Sequence, residues 1–297
     1  MDNSFSQLVL DQVNTPLNLD HTLGCGQVFR WEKKDNYWYG VVDGTVIKLR
    51  QDHDGIMYKT FPKDRGEDFI RRYLRLDDEL PLILSKIDRD AAIGRAVGAL
   101  YGLRIVRQEP WECLVSYICA TFSNIPRIKG MIQNISKKFG KEILFENDLF
   151  YTFPDVKTLA KITLRELSDC GLGFRARYIL ETSKMIKDQT INLNALNRLT
   201  YDAAKRQLLN LAGVGPKVAD CVLLFSADQL EAFPVDVWMR RTISEHYGKH
   251  FRKDVREGNI SSRSYEQVNR FGREYFGEFA GYAQEYLYHY YRLHREG

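Results

Sequence analysis

A lysine, a carboxylate and two closely spaced glycines carry the chemistry in this chain. Leu211-Ala-Gly-Val-Gly-Pro-Lys217-Val-Ala-Asp-Cys221 is followed, after a short apolar stretch, by Phe233-Pro234-Val-Asp236. Gly213 and Gly215 bracket Val214, so the backbone can turn sharply there and come close to a partner. Amides that open the next helix lack intrahelical acceptors and, with the helix dipole behind them, form a ready phosphate site. Pro216 suits the first helical position, where its missing N–H costs nothing. Lys217 follows at once, a primary amine of the type that forms covalent intermediates with electrophilic carbon. Asp236 stands where it can cap the next helix, an interaction worth about 1 kcal/mol. A carboxylate fixed in that way can also stabilise positive charge and assist proton movement. An anion clamp, an amine and an acid in one compact unit suit backbone contacts to DNA, which position without reading sequence, coupled to covalent chemistry at a sugar carbon. A glycine turn between packed helices with a surface lysine has the same local spacing, and the spacing alone leaves both readings open.

These groups need rigid elements around them, and the periodicity supplies two kinds. Residues 27–60 alternate with the period of strands, which predicts strands over 28–31, 37–42, 45–50 and 56–60. The intervening pairs Asp35-Asn36, Asp43-Gly44 and Asp54-Gly55 read as hairpin turns. Helices are expected over 65–76 and 79–87, packing on that antiparallel meander. From about residue 90 the apolar period becomes helical, with helices predicted over 111–121, 125–139, 175–187, 201–211, 216–225, 237–247, 265–276 and 282–294. Pro110 opens the first of these, Thr163-Leu-Arg-Glu166 has capping-box spacing, and Gly171 is a terminator. The expected fold class is α+β: a small N-terminal antiparallel β-sheet domain over 1–98, then a larger all-helical domain over 99–297.

With 297 residues, 44% hydrophobic and 28% charged, the chain has the composition of a globular protein with a sizeable core. No apolar run approaches the roughly 20 residues that span a bilayer, so no membrane partner is expected. The opening Met1-Asp-Asn-Ser-Phe-Ser lacks the basic-then-apolar order of a signal peptide, giving an expectation of an intracellular location. Cys25, Cys113, Cys119, Cys170 and Cys221 are scattered without a C-x-x-C pair, so reduced thiols are expected and a zinc or iron–sulfur site is not. A net charge of +4 permits a polyanion partner without demanding one. The basic residues gather after residue 100, at Arg104 and Arg107, Arg127 and Lys129, Lys137, Lys138 and Lys141, Arg175 and Arg177, and Arg240 and Arg241. Any one such cluster reads as a solvated helix face. Their recurrence beside the breaks between helices points to DNA.

The stretch from Leu211 to Cys221 with Phe233-Pro234-Val235-Asp236 resembles the helix-hairpin-helix–Gly/Pro–Asp signature of base-excision DNA glycosylases, the hairpin itself lying at about 201–226. Within that superfamily the chain is similar to the 8-oxoguanine DNA glycosylase branch. Cys25-Gly-Gln-Val-Phe-Arg-Trp31 resembles the loop that enters the sheet domain, and Arg107-Gln-Glu-Pro-Trp-Glu-Cys-Leu-Val-Ser-Tyr-Ile-Cys119 the helix that opens the helical domain. Gly171-Leu-Gly-Phe-Arg-Ala-Arg-Tyr178 resembles the DNA-facing loop. The resemblance implies a bifunctional glycosylase and lyase of base-excision repair, acting on duplex DNA that contains 8-oxoguanine and flipping the base out of the stack. Lys217 would attack the sugar C1′ and form a Schiff base, Asp236 would support charge and proton transfer, and β-elimination would nick the strand. No metal or organic cofactor is required, and a monomer is expected.

The resemblance also carries recognition residues one position at a time. Gly26 matches a glycine whose carbonyl accepts from the N7–H that distinguishes 8-oxoguanine from guanine, whose bare N7 it would repel. Gln284 matches the reader of the Watson–Crick edge. Cys221 and Tyr288 would sandwich the base, with Tyr288 where the family often has Phe, and Pro234 belongs to the same base-recognition set. Phe271, Tyr275, Phe279, Tyr282, Tyr286 and Tyr290 read instead as core at helical spacing. Gly213, Val214 and Gly215 would hold the DNA backbone. On the opposite strand, Arg127 and Arg175 match a pair of arginines that read the orphaned cytosine, Phe174 matches an aromatic wedge, and Asn124 belongs to the same DNA-facing segment. Phe122 replaces an asparagine of the eukaryotic enzymes that fills the vacated stack, which predicts a weaker preference for cytosine opposite the lesion. Trp238 replaces a phosphate-contacting histidine, leaving that contact in doubt. Two other readings share part of this pattern. Another glycosylase of the superfamily, for alkylated or mismatched bases or oxidised pyrimidines, is disfavoured by the Gly26 loop, the N-terminal sheet and the absence of an iron–sulfur cysteine cluster. A non-enzymatic DNA-binding module would need neither Lys217 nor Asp236 in register.

Overall fold

In the computed structural model, which describes residues 5–62, 64–252 and 261–296, two-residue turns shape the N-terminal sheet. Its strands are β1 (Ser6–Val9), β2 (Trp31–Lys34), β3 (Tyr37–Val42), β4 (Thr45–Gln51) and β5 (Gly55–Phe61), all antiparallel and ordered β1-β5-β4-β3-β2. Asp43 and Gly44 turn between β3 and β4 with φ of 47° and 69°, the left-handed pair that a tight hairpin demands. β4 is buried along most of its length because both faces are covered. Ile47 and Leu49 on one face join Ile56, Tyr58 and the helix α2 residues Ile70 and Tyr73. Here α1 is Leu19–Gly24 and α2 is Gly66–Tyr73. Val46 on the other face joins Val41 and the side chains Ile143 and Phe145. Those two belong to a small hairpin, β6 (Glu142–Phe145) and β7 (Asp148–Tyr151), which closes over the sheet from within the helical region.

The strand expected over 28–31 begins only at Trp31, because Val28 and Phe29 turn away into the two cores. β1, α1 and the β6–β7 hairpin are additions to the sequence expectation. A second difference concerns α3 (Leu80–Ile87), expected on the sheet. Its Leu80, Ile83, Leu84 and Ile87 instead enter the helical core, where α4 (Ala91–Ala99) and the C-terminal helix cover a strip too apolar to leave against the sheet's edge.

The helical body continues with α5 (Pro110–Cys119), α6 (Ile125–Phe139), α7 (Val156–Leu159), α8 (Leu164–Leu167), α9 (Arg175–Lys187), α10 (Tyr201–Leu209), α11 (Pro216–Ser226), α12 (Val237–Tyr247), α13 (Ser262–Phe276) and α14 (Ala280–Glu296). Side-chain caps fix the starts. Glu109 accepts from the Trp111 and Glu112 amides ahead of Pro110 at 3.1 and 2.7 Å, and Thr163 and Glu166 close both halves of their capping box. Asn124 caps α6 by accepting from the Arg127 amide at 3.0 Å. Among the described residues, no helix is long and apolar enough to cross a membrane.

Behind α11 lies a buried polar knot. Asp220 accepts from the Tyr201 and Tyr265 hydroxyls, both at 2.5 Å, from Asn269 at 3.0 Å and from Lys205 at 3.1 Å. Asn269 also donates to the Phe233 carbonyl at 2.9 Å. One set of hydrogen bonds thereby ties the helix that carries Lys217 to the segment that leads into Asp236.

Candidate active site

The hairpin between α10 and α11 is built around one obligatory glycine. Gly213 has φ of +74°, and a Cβ there would lie 2.6 Å from Tyr178, so any side chain would meet both backbone strain and a collision. Gly215 differs: it is extended, and nothing lies within 4 Å of where its Cβ would be. Its open side leaves room for a partner to approach the backbone. The Val214 amide donates to the Leu211 carbonyl at 3.2 Å and closes the turn, with the Val214 side chain buried. Pro216 then starts α11, and Lys217 follows in its first turn, half-buried. The Lys217 ammonium sits 5.3 Å from the centroid of the Tyr117 ring, a cation–π distance. Tyr117 is held in turn by stacking on Phe225 at 5.5 Å and by donating its hydroxyl to the Gln27 carbonyl at 3.1 Å.

Asp236 caps α12, accepting from the Met239 amide at 2.7 Å. Burial pushes its carboxyl above the ordinary carboxylate range, while the Met239 amide and the charges of Lys217 and Arg292 pull it back down. The lysine and the aspartate therefore share one electrostatic neighbourhood. Cys221 lies one helical turn after Lys217 and is buried; burial outweighs the nearby ammonium and pushes its thiol up to about 12. It is a neutral, unreactive wall rather than a second nucleophile. Among the described residues, no group of three His, Cys, Asp or Glu side chains is arranged to hold a metal ion.

Helix α14 forms the other wall. Gln284 is 5% exposed, and its side-chain oxygen finds no partner among the described residues. Glu285 is buried beside the Cys25 thiol, and burial lifts its carboxyl to about 7. Tyr288 is half-buried, with its hydroxyl 3.2 Å from Arg292 Nη1, and burial pushes the phenol upward. His289 is driven down to about 4 by burial and by the Arg292 charge. Opposite them stands Gly26, with φ of +101°. Lys217 and Cys221 on α11, Asp236, Gly26 and the α14 residues thus converge from four separate stretches of chain, and Pro234 is buried just before the capping aspartate.

A different geometry holds the α5–α6 turn. Phe122 is 91% exposed and adopts φ of +50°, a conformation that a bulky residue keeps only when its surroundings impose it. Arg175 imposes it. This residue is 2% exposed, and its guanidinium donates to the carbonyls of Thr121, Phe122 (3.1 Å) and Leu172 (3.3 Å). Phe174 is 52% exposed, with the Arg175 guanidinium carbon 4.4 Å from its ring centroid. Arg127 is exposed, Asn124 is a helix cap, and Trp238 lies half-buried in the first turn of α12 under Arg241. Sequence reasoning passed over Tyr117, Glu285, His289 and Arg292. Arg292 was detectable, since Gln284, Tyr288 and Arg292 recur every four residues and must share one helix face.

Comparisons with known proteins agree with this arrangement at the level of family. Residues 115–261 match the model of the HhH-GPD superfamily of base excision DNA repair proteins. Residues 9–114 match the N-terminal domain of 8-oxoguanine DNA glycosylase. The N-glycosylase/DNA lyase OGG1 of Arabidopsis thaliana is 31% identical over 94% of this chain and 78% of its own length. A probable N-glycosylase/DNA lyase of Methanothermobacter thermautotrophicus is 34% identical, the match spanning 64% of each chain. The 8-oxoguanine glycosylase/lyase of Clostridium acetobutylicum, solved with double-stranded DNA carrying cytosine opposite 8-oxoguanine, superposes with a TM-score of 0.88. It is 30% identical, with 99% of this chain and 100% of that one covered. The chain belongs to the 8-oxoguanine DNA glycosylase family of helix-hairpin-helix base-excision repair proteins.

Proposed function

We propose that this chain excises 8-oxoguanine from duplex DNA and then cleaves the strand, using Lys217 as the nucleophile. The observation that carries the reading is the placement of a half-buried primary amine in the first turn after an open glycine turn, within the electrostatic reach of a capping aspartate. The Lys217 amine, once deprotonated, attacks C1′ of the flipped nucleotide. The C1′–N9 bond breaks with its electron pair going to the base, which takes up a proton. Opening of the sugar ring gives an iminium, loss of a proton from C2′ follows, and the 3′ phosphate departs with the C3′–O electrons. Asp236 steadies the positive charge on the sugar and relays protons. Gly213, Val214 and Gly215 bring the hairpin backbone to the phosphates.

The base enters between Cys221 and Tyr288, with Pro234 at its side, Gln284 on its Watson–Crick edge and the Gly26 carbonyl on its N7–H. That loop comes from the N-terminal sheet unit, which we divide from the helical unit near residue 98. On the far strand Phe122 fills the vacated stack, flanked by Phe174, Asn124 and Arg127, while Arg175 holds the turn that aims Phe122. A stacking ring in that place supports a relaxed preference for the opposite base. The protein acts as a monomer on chromosomal DNA inside the cell, in the nucleoid or nucleus.

The test is borohydride trapping and strand nicking on duplexes with 8-oxoguanine opposite each of the four bases, comparing wild type with Lys217→Gln. Trapping by wild type that vanishes in the variant supports the lysine mechanism. Base release without trapping in wild type makes the protein a hydrolytic glycosylase. Inactivity on all four duplexes moves the substrate to another lesion of the superfamily or leaves a DNA-binding module.

A further inference from the structure

Arg292 is 7% exposed and lies one helical turn beyond Tyr288 on α14, with its guanidinium against Gly26. Its Nη1 is 3.2 Å from the Tyr288 hydroxyl and its Nη2 3.5 Å from His289 Nδ1. Its Nε finds no partner among the described residues. Nη1 would also stand 2.9 Å from a Cβ at Gly26, so the glycine both exposes its backbone and leaves a seat for the arginine. Three buried polar atoms on this one helix lack partners among the described residues: Gln284 Oε1, Glu285 Oε1 and Arg292 Nε. Other unpartnered atoms lie elsewhere, as at Ser136 and in the pairs Thr121 with Ser123 and Arg75 with Arg104, but among the described residues no other helix carries three of them. Buried polar groups are normally satisfied, and a local cluster of exceptions marks a place where a ligand completes the bonds.

Resting on the base-excision reading above, we propose that Arg292 is a specificity-determining residue that donates to the C8 oxygen of the lesion. 8-Oxoguanine presents a donor, N7–H, beside an acceptor, the C8 carbonyl. The Gly26 carbonyl beside the Arg292 guanidinium is the complementary acceptor and donor. Guanine offers a bare N7 and a C8–H, so it leaves the carbonyl facing a lone pair and the guanidinium without its acceptor.

Binding tests this without requiring turnover. In a Lys217→Gln background, Arg292→Leu and its parent are compared on duplexes carrying 8-oxoguanine, guanine or a tetrahydrofuran abasic-site analogue. The expected result is a loss of about tenfold to hundredfold in affinity for the 8-oxoguanine duplex, the size of a charge-assisted hydrogen bond, with affinity for the other two duplexes held. Unchanged preference for 8-oxoguanine over guanine overturns the proposal, and so does an equal loss on all three duplexes, which would make Arg292 a structural residue. Arg292→Lys, with its point charge in place of a planar fork, is expected to recover only part of the preference; full recovery of fold without any recovery of preference still supports the contact. Failure of wild type to be trapped by borohydride would remove the lysine mechanism while this binding ratio still judges Arg292. A parent with no preference for 8-oxoguanine at all overturns both.

Discussion

Two buried polar clusters flank α11, and they are built on opposite principles. In the Asp220 cluster each carboxylate oxygen receives hydrogen bonds from Tyr201, Tyr265, Asn269 or Lys205. In the α14 cluster, Gln284, Glu285 and Arg292 each keep one buried polar atom without a partner among the described residues. A satisfied network rigidifies and specifies a core, whereas a partly satisfied one costs stability. The first cluster joins the helix of Lys217 to the segment before Asp236; the second lies on the helix that meets Gly26. The difference separates a part of the molecule that is internally satisfied from one whose polar atoms are free for a ligand, the role proposed above for α14.

The sharpest way to break this comparison is to unmake the satisfied side. Asp220→Ala leaves Lys205, 8% exposed, with contacts to the Tyr201 hydroxyl at 3.0 Å and Glu266 at 3.4 Å, and takes one acceptor from each of two buried tyrosines. Removing one member of a buried ion pair typically costs about 3–5 kcal/mol, which for a chain of this size lowers Tm by roughly 5–8 °C. Asp220→Asn, which keeps one acceptor, should lose less. Calorimetry or thermal circular dichroism reads the effect. A fall corresponding to less than about 1 kcal/mol would mean that the cluster is not the clamp its geometry describes.

The unsatisfied side should reveal itself through pH. The Glu285 carboxyl is raised by burial from 4.5 to about 7. Between those values the folded protein holds a proton that the unfolded chain has released, so this group's contribution is present below pH ~4.5 and is lost as pH rises through 7. His289 runs the other way: its folded pKa is depressed from 6.5 to about 4, so its contribution is present above pH ~6.5 and is lost as pH falls. Glu285→Gln should therefore raise Tm relative to wild type more at pH 8 than at pH 5, by an amount bounded at about 3 kcal/mol. His289→Asn should flatten the acid side instead. Parallel Tm–pH curves for wild type and Glu285→Gln would refute the raised carboxyl.

What was legible in the sequence was decided within a few residues. The Asp43-Gly44 turn, Pro110 at its helix start, the Thr163–Glu166 capping box and the Gly213 turn each report a local backbone demand. The elements that escaped depend on distant partners. β1 is four residues long and exists by pairing with β5, as Leu8 does with Ile56. Ile143 and Phe145 form a strand that matters because Val41 and Val46 need cover. α3 has an apolar face but no mark of which core receives it. The same division runs through the site. Lys217, Asp236 and the glycine turn sit in one stretch and were found together. Arg175 was expected to face the opposite strand, yet whether an arginine points out to DNA or in to three carbonyls is settled by the neighbouring turn, which lies fifty residues away in the chain.

Arg175 also makes the last and smallest test. Unlike Arg292, it is a buried cation with carbonyl acceptors for Nε, Nη1 and Nη2, so its bonding resembles that of the satisfied network, and the Phe122 side chain it holds can be probed on its own. Phe122→Asn replaces a ring by an amide at a left-handed position (φ +50°), where asparagine is the more comfortable residue. The variant should be slightly more stable, by roughly 0.5–1 kcal/mol, because the strain that Arg175 now holds is relieved. Its preference for cytosine over the other opposite bases should rise about three- to tenfold, the worth of one or two neutral hydrogen bonds, read as single-turnover excision rates on the four duplexes. If wild type already discriminates as strongly as the variant, the ring at position 122 does not relax partner choice, and discrimination resides in Arg127 or Phe174 instead.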